Sequence, residues 1–385
     1  MGKTILILGG GTGGVAAANV LSKTLPKGNQ IMLVDRNDSH HFLASYPLVM
    51  AGRRRPEQVK RKLKNLERKG VAFFQAEVKS VNTSCRQVET DQGALNYNYL
   101  VIALGAEHHP ETVPGLAEGA YNPYNFADLN RLRRRLASFQ RGKIVVFISC
   151  LPYTGVIAPW EIAFLLEDFF RRRGLRRQVE LTLVTPEPLP MPLAGPKVGD
   201  SIRRMMQQRG INLITQARIL SLDHKAGRLI LDHGITLPAD LFIGIPSHWG
   251  PSALRGSELV VKGGWVRVHP HTLETEADGV FAVGDAAAIV LPLSQVWAPK
   301  AGFFAHYQAE VVARNIALIM AGKKPVFRFT GKAAGAVMLT GLNQGRIASV
   351  NYYALPWPRI SLLRPTRAAY LVKVAFEKYW LSRWL

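Results

Sequence analysis

The residues best suited to chemistry stand at the start of the chain. Gly9, Gly11 and Gly14 fall in the run Gly9-Gly10-Gly11-Thr12-Gly13-Gly14. An apolar segment, Lys3 to Leu8, precedes the run, and an Ala-rich, helix-compatible stretch from Val15 to Leu21 follows it. Strand, glycine turn and helix in that order cradle a dinucleotide pyrophosphate. The first glycine permits the tight turn, the second lets backbone approach the phosphates, and the third packs helix on strand. The helix N-terminus, with Thr12 in the same loop, turns its partial positive charge towards the phosphates. A second apolar segment, Gln30 to Val34, ends in Asp35, 21 residues beyond Gly14. A carboxylate there accepts hydrogen bonds from ribose hydroxyls and repels a 2′-phosphate. Arg36 joins it among the expected cofactor contacts.

Two later segments specify the cofactor. Asn96 to Ala106 reads NYNYLVIALGA and Thr275 to Ala287 reads TEADGVFAVGDAA. Both resemble the FAD-contacting segments of two-dinucleotide-domain flavoproteins, although Leu104 stands where those proteins usually carry Thr. The resemblance implies FAD as cofactor, with Ala103, Gly105, Gly284 and Asp285 beside it and Asp285 holding the ribityl chain. No cysteine lies near the flavin-linking position, so the FAD is expected to be non-covalent.

A second dinucleotide unit should open at Lys143 to Ser149, another apolar strand. Instead of a glycine loop, the chain continues Cys150-Leu-Pro-Tyr-Thr-Gly155-Val-Ile-Ala-Pro159-Trp160-Glu161 into a helix read as Ile162 to Arg173. Pro152 and Pro159 lack backbone donors, so this loop cannot ring a pyrophosphate with N–H groups. NADH is therefore disfavoured as donor.

Over nearly its whole length the chain is similar to the sulfide:quinone oxidoreductase and flavocytochrome c sulfide dehydrogenase family. The resemblance rests on APWE at 158–161, VTPEPLPMPLAGP at 184–196, WAPKAGFFAHYQAEVVARNI at 297–316 and HHFLASYPLVMAGRRRPEQV at 40–59. It implies electron flow from a small reduced donor, sulfide in the family, through FAD to a membrane quinone. It also implies a redox cysteine pair, and here the chain departs from the family. Gly155 occupies one cysteine position, and no cysteine follows Cys150 to supply the other, which belongs near Gly335 to Gly345.

Several side chains have two readings. Cys150 is a lone thiol within reach of the flavin or a small buried hydrophobe, and the sequence favours the hydrophobe. Cys85, in an expected hairpin from Val81 to Leu95, has no reason to be near. The resemblance places Lys300 by the flavin's pyrimidine ring, where a cation stabilises reduced, anionic flavin; the alternative is a solvated surface lysine. Glu161 is a proton acceptor if desolvated, or a charge at the start of its helix. His41 and His306 are proton carriers or, the favoured reading, packed side chains. Lys300, Glu161 and Cys150 form the candidate catalytic set. No metal-ligand spacing occurs.

Composition sets the remaining bounds. The 385 residues carry 49 Lys plus Arg against 27 Asp plus Glu, a net charge of +22 that attracts anions. The basic clusters lack interleaved aromatics and any nucleic-acid module, so nucleic acid is not an expected partner. No leader is read at Met1, and no apolar run approaches the roughly 18 residues of a spanning helix. Synthesis in the cytoplasm follows. Thr366 to Leu385 reads TRAAYLVKVAFEKYWLSRWL, with Leu371, Val372, Ala375, Phe376, Tyr379, Trp380 and Leu381 read on one side of a helix. Such a helix lies in the headgroup layer as a peripheral, monotopic attachment; docking onto the body is the alternative.

The fold expected is α/β: two interleaved Rossmann-like dinucleotide-binding domains with a C-terminal membrane-associating segment. Residues 1–110 and 256–325 form the FAD domain, 111–255 the degenerate second domain and 326–385 the C-terminal segment. The expected function is FAD-dependent oxidation of a small, reduced, sulfur-type donor with quinone as acceptor. An NAD(P)H:quinone oxidoreductase and an electron-relaying FAD subunit are the alternatives, and the sequence leaves open a homo-oligomer or a redox partner subunit.

Overall fold

The computed structural model describes residues 2–291 and 296–385. Strands that are apolar without alternation must be covered on both faces. Strand β1 (Thr4–Leu8) meets that condition, with Ile5, Leu6, Ile7 and Leu8 fully buried. It pairs in parallel with β2 (Gln30–Asp35), reached through helix α1 (Thr12–Thr24), and β2 pairs with β3 (Val71–Gln75). On its other side β1 pairs with β4 (Tyr99–Ile102). The short strand β5 (Glu107–His109) then leads out of this sheet.

A second parallel sheet is inserted next. It is built on β6 (Gly142–Ile148), helix α2 (Ala158–Arg172), β7 (Val179–Val184), β8 (Ile211–Ile214) and β9 (Leu241–Ile245). Its strand order is β8-β7-β6-β9. The returning strand β10 (Ser247–Trp249) pairs antiparallel with β5, so the outgoing and incoming chains run side by side. Strand β11 (Val280–Ala282) rejoins the first sheet beside β4, which completes the order β11-β4-β1-β2-β3. Helix α3 (Gly302–Met320) packs along α1. This is a Rossmann-type α/β architecture with one nucleotide-binding topology interrupted by another.

The last part of the chain joins the two units. Strands β12 (Lys332–Gly341), β13 (Gln344–Asn351) and β14 (Arg359–Leu362) form an antiparallel sheet. The Leu339 N–H donates to Glu161 at 2.6 Å and the Leu342 N–H to Asp168 at 2.7 Å, which ties β12 and its turn to α2. Helix α4 (Arg367–Arg383) follows, capped by the Thr366 hydroxyl, which accepts from the Ala369 N–H at 3.1 Å.

Helix α4 corrects the sequence reading of one crowded apolar side. Trp380 and Leu381 are buried against the body, whereas Leu371, Val372, Ala375, Phe376 and Tyr379 face outwards. The buried side also carries two charges. Lys373 pairs with Glu161 at 2.6 Å and Glu377 with Arg54 at 2.8 Å, and Ser45 donates to Glu377 as well. Buried charges persist only when paired, and the partners lie on distant segments that helical periodicity cannot reveal. Among the described residues no helix is long and apolar enough to cross a membrane.

Candidate functional site

The glycine turn after β1 gives each glycine a separate steric reason. Gly9 has φ of +103°, and a Cβ there would lie 2.3 Å from the Ala103 carbonyl oxygen. A Cβ on Gly14 would meet the Gly9 carbonyl oxygen at 1.8 Å, so helix and turn close only without a side chain. A Cβ on Gly11 would meet nothing within 4 Å. The face of the loop at Gly11 is thus open space at a helix N-terminus, where a side chain would compete with a phosphate. Asp35, at the end of β2, accepts from the Gly10 N–H at 2.6 Å and from the Asn37 N–H at 2.7 Å. Its carboxylate is therefore fixed at the mouth of the cradle. Arg36 points elsewhere: it is exposed and lies 3.6 Å from Glu77. The adenine half of a dinucleotide fits this cradle.

A second group of residues gathers where β11 and the segment before α3 meet the loop after β6. Asp285 sits in the turn Gly284–Ala286, and its Oδ1 is buried without a hydrogen-bond partner among the described residues. Burial pushes its carboxyl above the usual range. An orphaned acceptor of this kind matches a ligand hydroxyl such as those of a ribityl chain. The neighbouring Gly284 N–H donates to Gln308 at 2.7 Å, and Gly105 has φ of +75° with nothing within 4 Å of its missing Cβ. The residues present therefore fit FAD along its length.

Lys300 is buried rather than solvated. Its ammonium donates to the carbonyl of Asp285 at 3.0 Å and to that of Ala287, and it lies 4.1 Å from the Trp265 ring centre. Burial pushes its pKa down to about 8. Below that value it is a desolvated cation, the state in which it attracts a developing negative charge most strongly. Its carbonyl accepts from the Gly155 N–H at 2.9 Å, which brings the family's cysteine position to the same place. A Cβ at Gly155 would stand 3.4 Å from the Tyr124 hydroxyl. Burial pushes the Tyr124 hydroxyl well above its ordinary pKa, and the charges of Glu161 and Asp285 add to the effect. Tyr124 is thus a fixed protonated donor in this group, and no spacing or motif in the sequence points to it.

At the carboxyl end of the second sheet two buried side chains meet. Tyr153, in the loop after β6, is buried, and its hydroxyl donates to Glu187 Oε2 at 3.3 Å. Glu187 follows β7, and a residue after the second strand is where a dinucleotide fold presents its ribose acceptor. Burial pushes the Glu187 carboxyl up to about 7. Tyr153 and Glu187 thus hold each other at this end of the sheet.

The remaining candidates separate. Cys150 is exposed, which corrects its reading as a buried hydrophobe: β6 ends at Ile148, and the thiol projects from the loop beyond it. Cys85 is exposed in the turn between strands Val78–Asn82 and Gln87–Thr90. Glu161 is buried in the first turn of α2, where it accepts from Lys373 and Leu339. Burial raises its pKa, and Lys373 pulls the other way. It is an occupied acceptor linking α2, β12 and α4 more than a free base. His41 is bonded to Tyr46 at 2.9 Å and packed on Phe126, and His306 lies 3.3 Å from Glu310 between Trp380 and Trp384. Both are packed side chains.

Comparison with known proteins agrees with this geometry. Residues 3–311 match the family described as pyridine nucleotide-disulphide oxidoreductase. The mouse mitochondrial sulfide:quinone oxidoreductase is 26% identical over 365 residues, covering 91% of this chain and 79% of that protein. A type II NADH:quinone oxidoreductase of Staphylococcus aureus is 24% identical, with 83% of each chain covered. The crystal structure of the sulfide:quinone oxidoreductase of Aquifex aeolicus shares the fold, with a TM-score of 0.87, 23% identity, and 99% of this chain and 91% of that one covered. The chain belongs to the pyridine nucleotide-disulphide oxidoreductase family and is an FAD-dependent oxidoreductase similar to the sulfide:quinone oxidoreductases.

Proposed function

We propose that the protein takes two electrons from sulfide or another small reduced sulfur compound and passes them to a quinone at a membrane surface, without a protein disulfide. The observation that carries this reading is the Tyr153–Glu187 hydrogen bond at the carboxyl end of the second sheet, where a nicotinamide dinucleotide would lie. A donor that cannot dock there must be small enough to reach the Lys300–Gly155–Tyr124 group directly. FAD, when bound, supplies two-electron acceptance. Gly11 and the start of α1 bind its phosphates, Asp35 and Asp285 take ribose and ribityl hydroxyls, and Lys300 steadies negative charge at the ring. Tyr124 keeps its proton and, by giving up its long 3.4 Å bond to the Gly155 carbonyl, can donate a hydrogen bond to an anionic donor.

With Gly155 in place of a cysteine, sulfur has no thiol on which to grow. Two hydrosulfide ions can instead join as one disulfide ion, HSS⁻, releasing two electrons and one proton. The second sulfide then does the work of the absent protein sulfur.

The acceptor end of the reading rests on α4. Leu371, Val372, Phe376 and Tyr379 are exposed there, and Leu355, Trp357 and Leu363 are exposed just before it. Arg359, Arg364, Arg367, Lys378 and Arg383 are exposed in the same stretch of chain. Exposed apolar side chains interspersed in sequence with Lys and Arg suit an anionic bilayer surface, where each cation contributes about 1 kcal/mol. The chain boundaries at 110, 255 and 325 belong to the same proposal.

Anaerobic mixing tests the reading. Sulfide should bleach the flavin, a quinone should restore it, and NADH should leave it unchanged. Bleaching by NADH at low concentration would favour the type II NADH dehydrogenase alternative, to which the similarity with the Staphylococcus enzyme lends weight. Silence towards both donors would favour an electron-relaying subunit.

A further inference from the structure

The outward-facing helix α4 is wired to the glycine loop by two consecutive buried hydrogen bonds. The Trp380 indole Nε1–H donates to His40 Nε2 at 3.0 Å, and His40 Nδ1 meets the Gly10 carbonyl at 2.8 Å. An indole N–H only donates and a backbone carbonyl only accepts. His40 must therefore be neutral with its proton on Nδ1, and its burial, which pushes its pKa down to about 4, keeps it so. Trp380 is fully buried and His40 is 1% exposed, so water cannot replace either partner.

The bond to Gly10 sets more than one atom. In a planar trans peptide the C=O and the following N–H point in opposite directions. Holding the Gly10 carbonyl towards His40 therefore turns the Gly11 N–H to the other side of that peptide. The Gly10 N–H is meanwhile held by Asp35 at 2.6 Å. The loop is pinned from both flanks, beside the open space that a Cβ at Gly11 would enter.

A second tie runs in parallel. Asn19 of α1 donates to the Trp384 carbonyl at 2.8 Å, and Lys69 donates both to Asn19 at 2.7 Å and to the Arg383 carbonyl. The helix whose N-terminus faces the phosphates thus holds the C-terminal end of α4. Neither the pyrophosphate loop nor α4 can shift without breaking bonds at the other.

We propose that Trp380 and His40 are positioning residues that link docking of α4 to retention of FAD, so that each stabilises the other. The link rests on the reading that the cofactor's pyrophosphate lies against Gly11. Linkage is reciprocal: a helix that tightens FAD must itself be tightened by FAD. The surface that α4 presents outwards then reports whether the flavoprotein is loaded, and loss of FAD loosens the apolar face with its helix.

The experiment uses the full-length protein, loaded with FAD and depleted of it. Hydrogen exchange of the α4 amides should be about tenfold slower in the loaded protein, a difference that needs no mutation to observe. Trp380→Phe keeps the ring stack and removes one donor; it should release FAD about tenfold faster and shrink the exchange difference to less than about twofold. Identical α4 exchange with and without FAD in the unmutated protein, or a wild-type release rate in Trp380→Phe, would overturn the link. Gly11→Val keeps the two questions apart. It should abolish FAD binding, and retention of FAD by that variant would instead overturn the placement of the pyrophosphate.

Discussion

At the carboxyl end of β1 the chain turns through glycines and leaves open space at Gly11; at the carboxyl end of β6 it turns through prolines, and Tyr153 reaches Glu187. The two sheets share a parallel core topology, with a helix following each first strand and a carboxylate after each second strand. Asp35 stands at the mouth of its cradle, partly exposed and held by backbone N–H groups. Glu187 is buried and held by Tyr153 from the loop across the crevice. Similar topology thus carries two different first loops, one open at Gly11 and one whose Tyr153 bonds to Glu187. An open glycine turn leaves N–H donors unsatisfied until a phosphate arrives. A loop with Pro152 and Pro159 has fewer donors to offer and spends its polar side chain internally.

The steepest way to break this contrast is to put a side chain where the first cradle closes on itself. Gly14→Ala places a Cβ 1.8 Å from a backbone oxygen. It should destabilise the protein by more than about 3 kcal/mol, seen as loss of soluble, cooperatively unfolding material. Gly11→Val, only three residues away, should leave the depleted protein's denaturant midpoint nearly unchanged.

Next comes the charge at the flavin end. Lys300→Gln removes the buried cation while keeping a donor for the Asp285 and Ala287 carbonyls. The flavin midpoint potential should become more negative by roughly 40 mV, about 2 kcal/mol for two electrons. An unchanged potential would place Lys300 outside the ring's electrostatic reach.

The second crevice is probed by pH. The Glu187 carboxyl is raised from 4.5 to about 7, so folding favours its neutral form. The stability it contributes is present below the unfolded value and is lost as pH rises through about 7. Glu187→Gln lacks this loss. Relative to the parent it should gain on the order of 2 kcal/mol between about pH 5 and about pH 8, read from urea midpoints. A constant difference across that range would mean the carboxyl is ionised throughout. The smallest effect is expected at Cys150→Ser, which should leave sulfide reduction of the flavin unchanged because the thiol is exposed and free, with no disulfide partner.

Legibility followed the same division. The first cradle is local: Gly9, Gly11, Gly14 and Asp35 act through backbone geometry and spacing along adjacent elements, and that information is linear. The absence of a second glycine loop was equally visible, but its replacement by a Tyr153–Glu187 contact was not, since the residues are 34 apart and neither belongs to a motif. Periodicity finds the helix at Arg367–Arg383 and groups seven apolar side chains on one side; five of them face outwards, while Trp380 and Leu381 pack on the body. Hydrophobic pattern assumes that charge points to water, and Lys373 and Glu377 violate that by pairing with Glu161 and Arg54, 212 and 323 residues away.

By itself the sequence determined the cofactor class and the strand–turn–helix that binds it, because glycine's lack of a Cβ and a continuous apolar strand have the same consequences wherever they occur. It determined as well that no cysteine pair stands at the flavin. Only the tertiary structure decided which charges are buried, that Lys300, Gly155 and Tyr124 meet, and that Trp380 reaches the glycine loop through His40. Those are pairings between distant segments. Their energies depend on desolvation at the meeting point, and that exists only once the chain is folded.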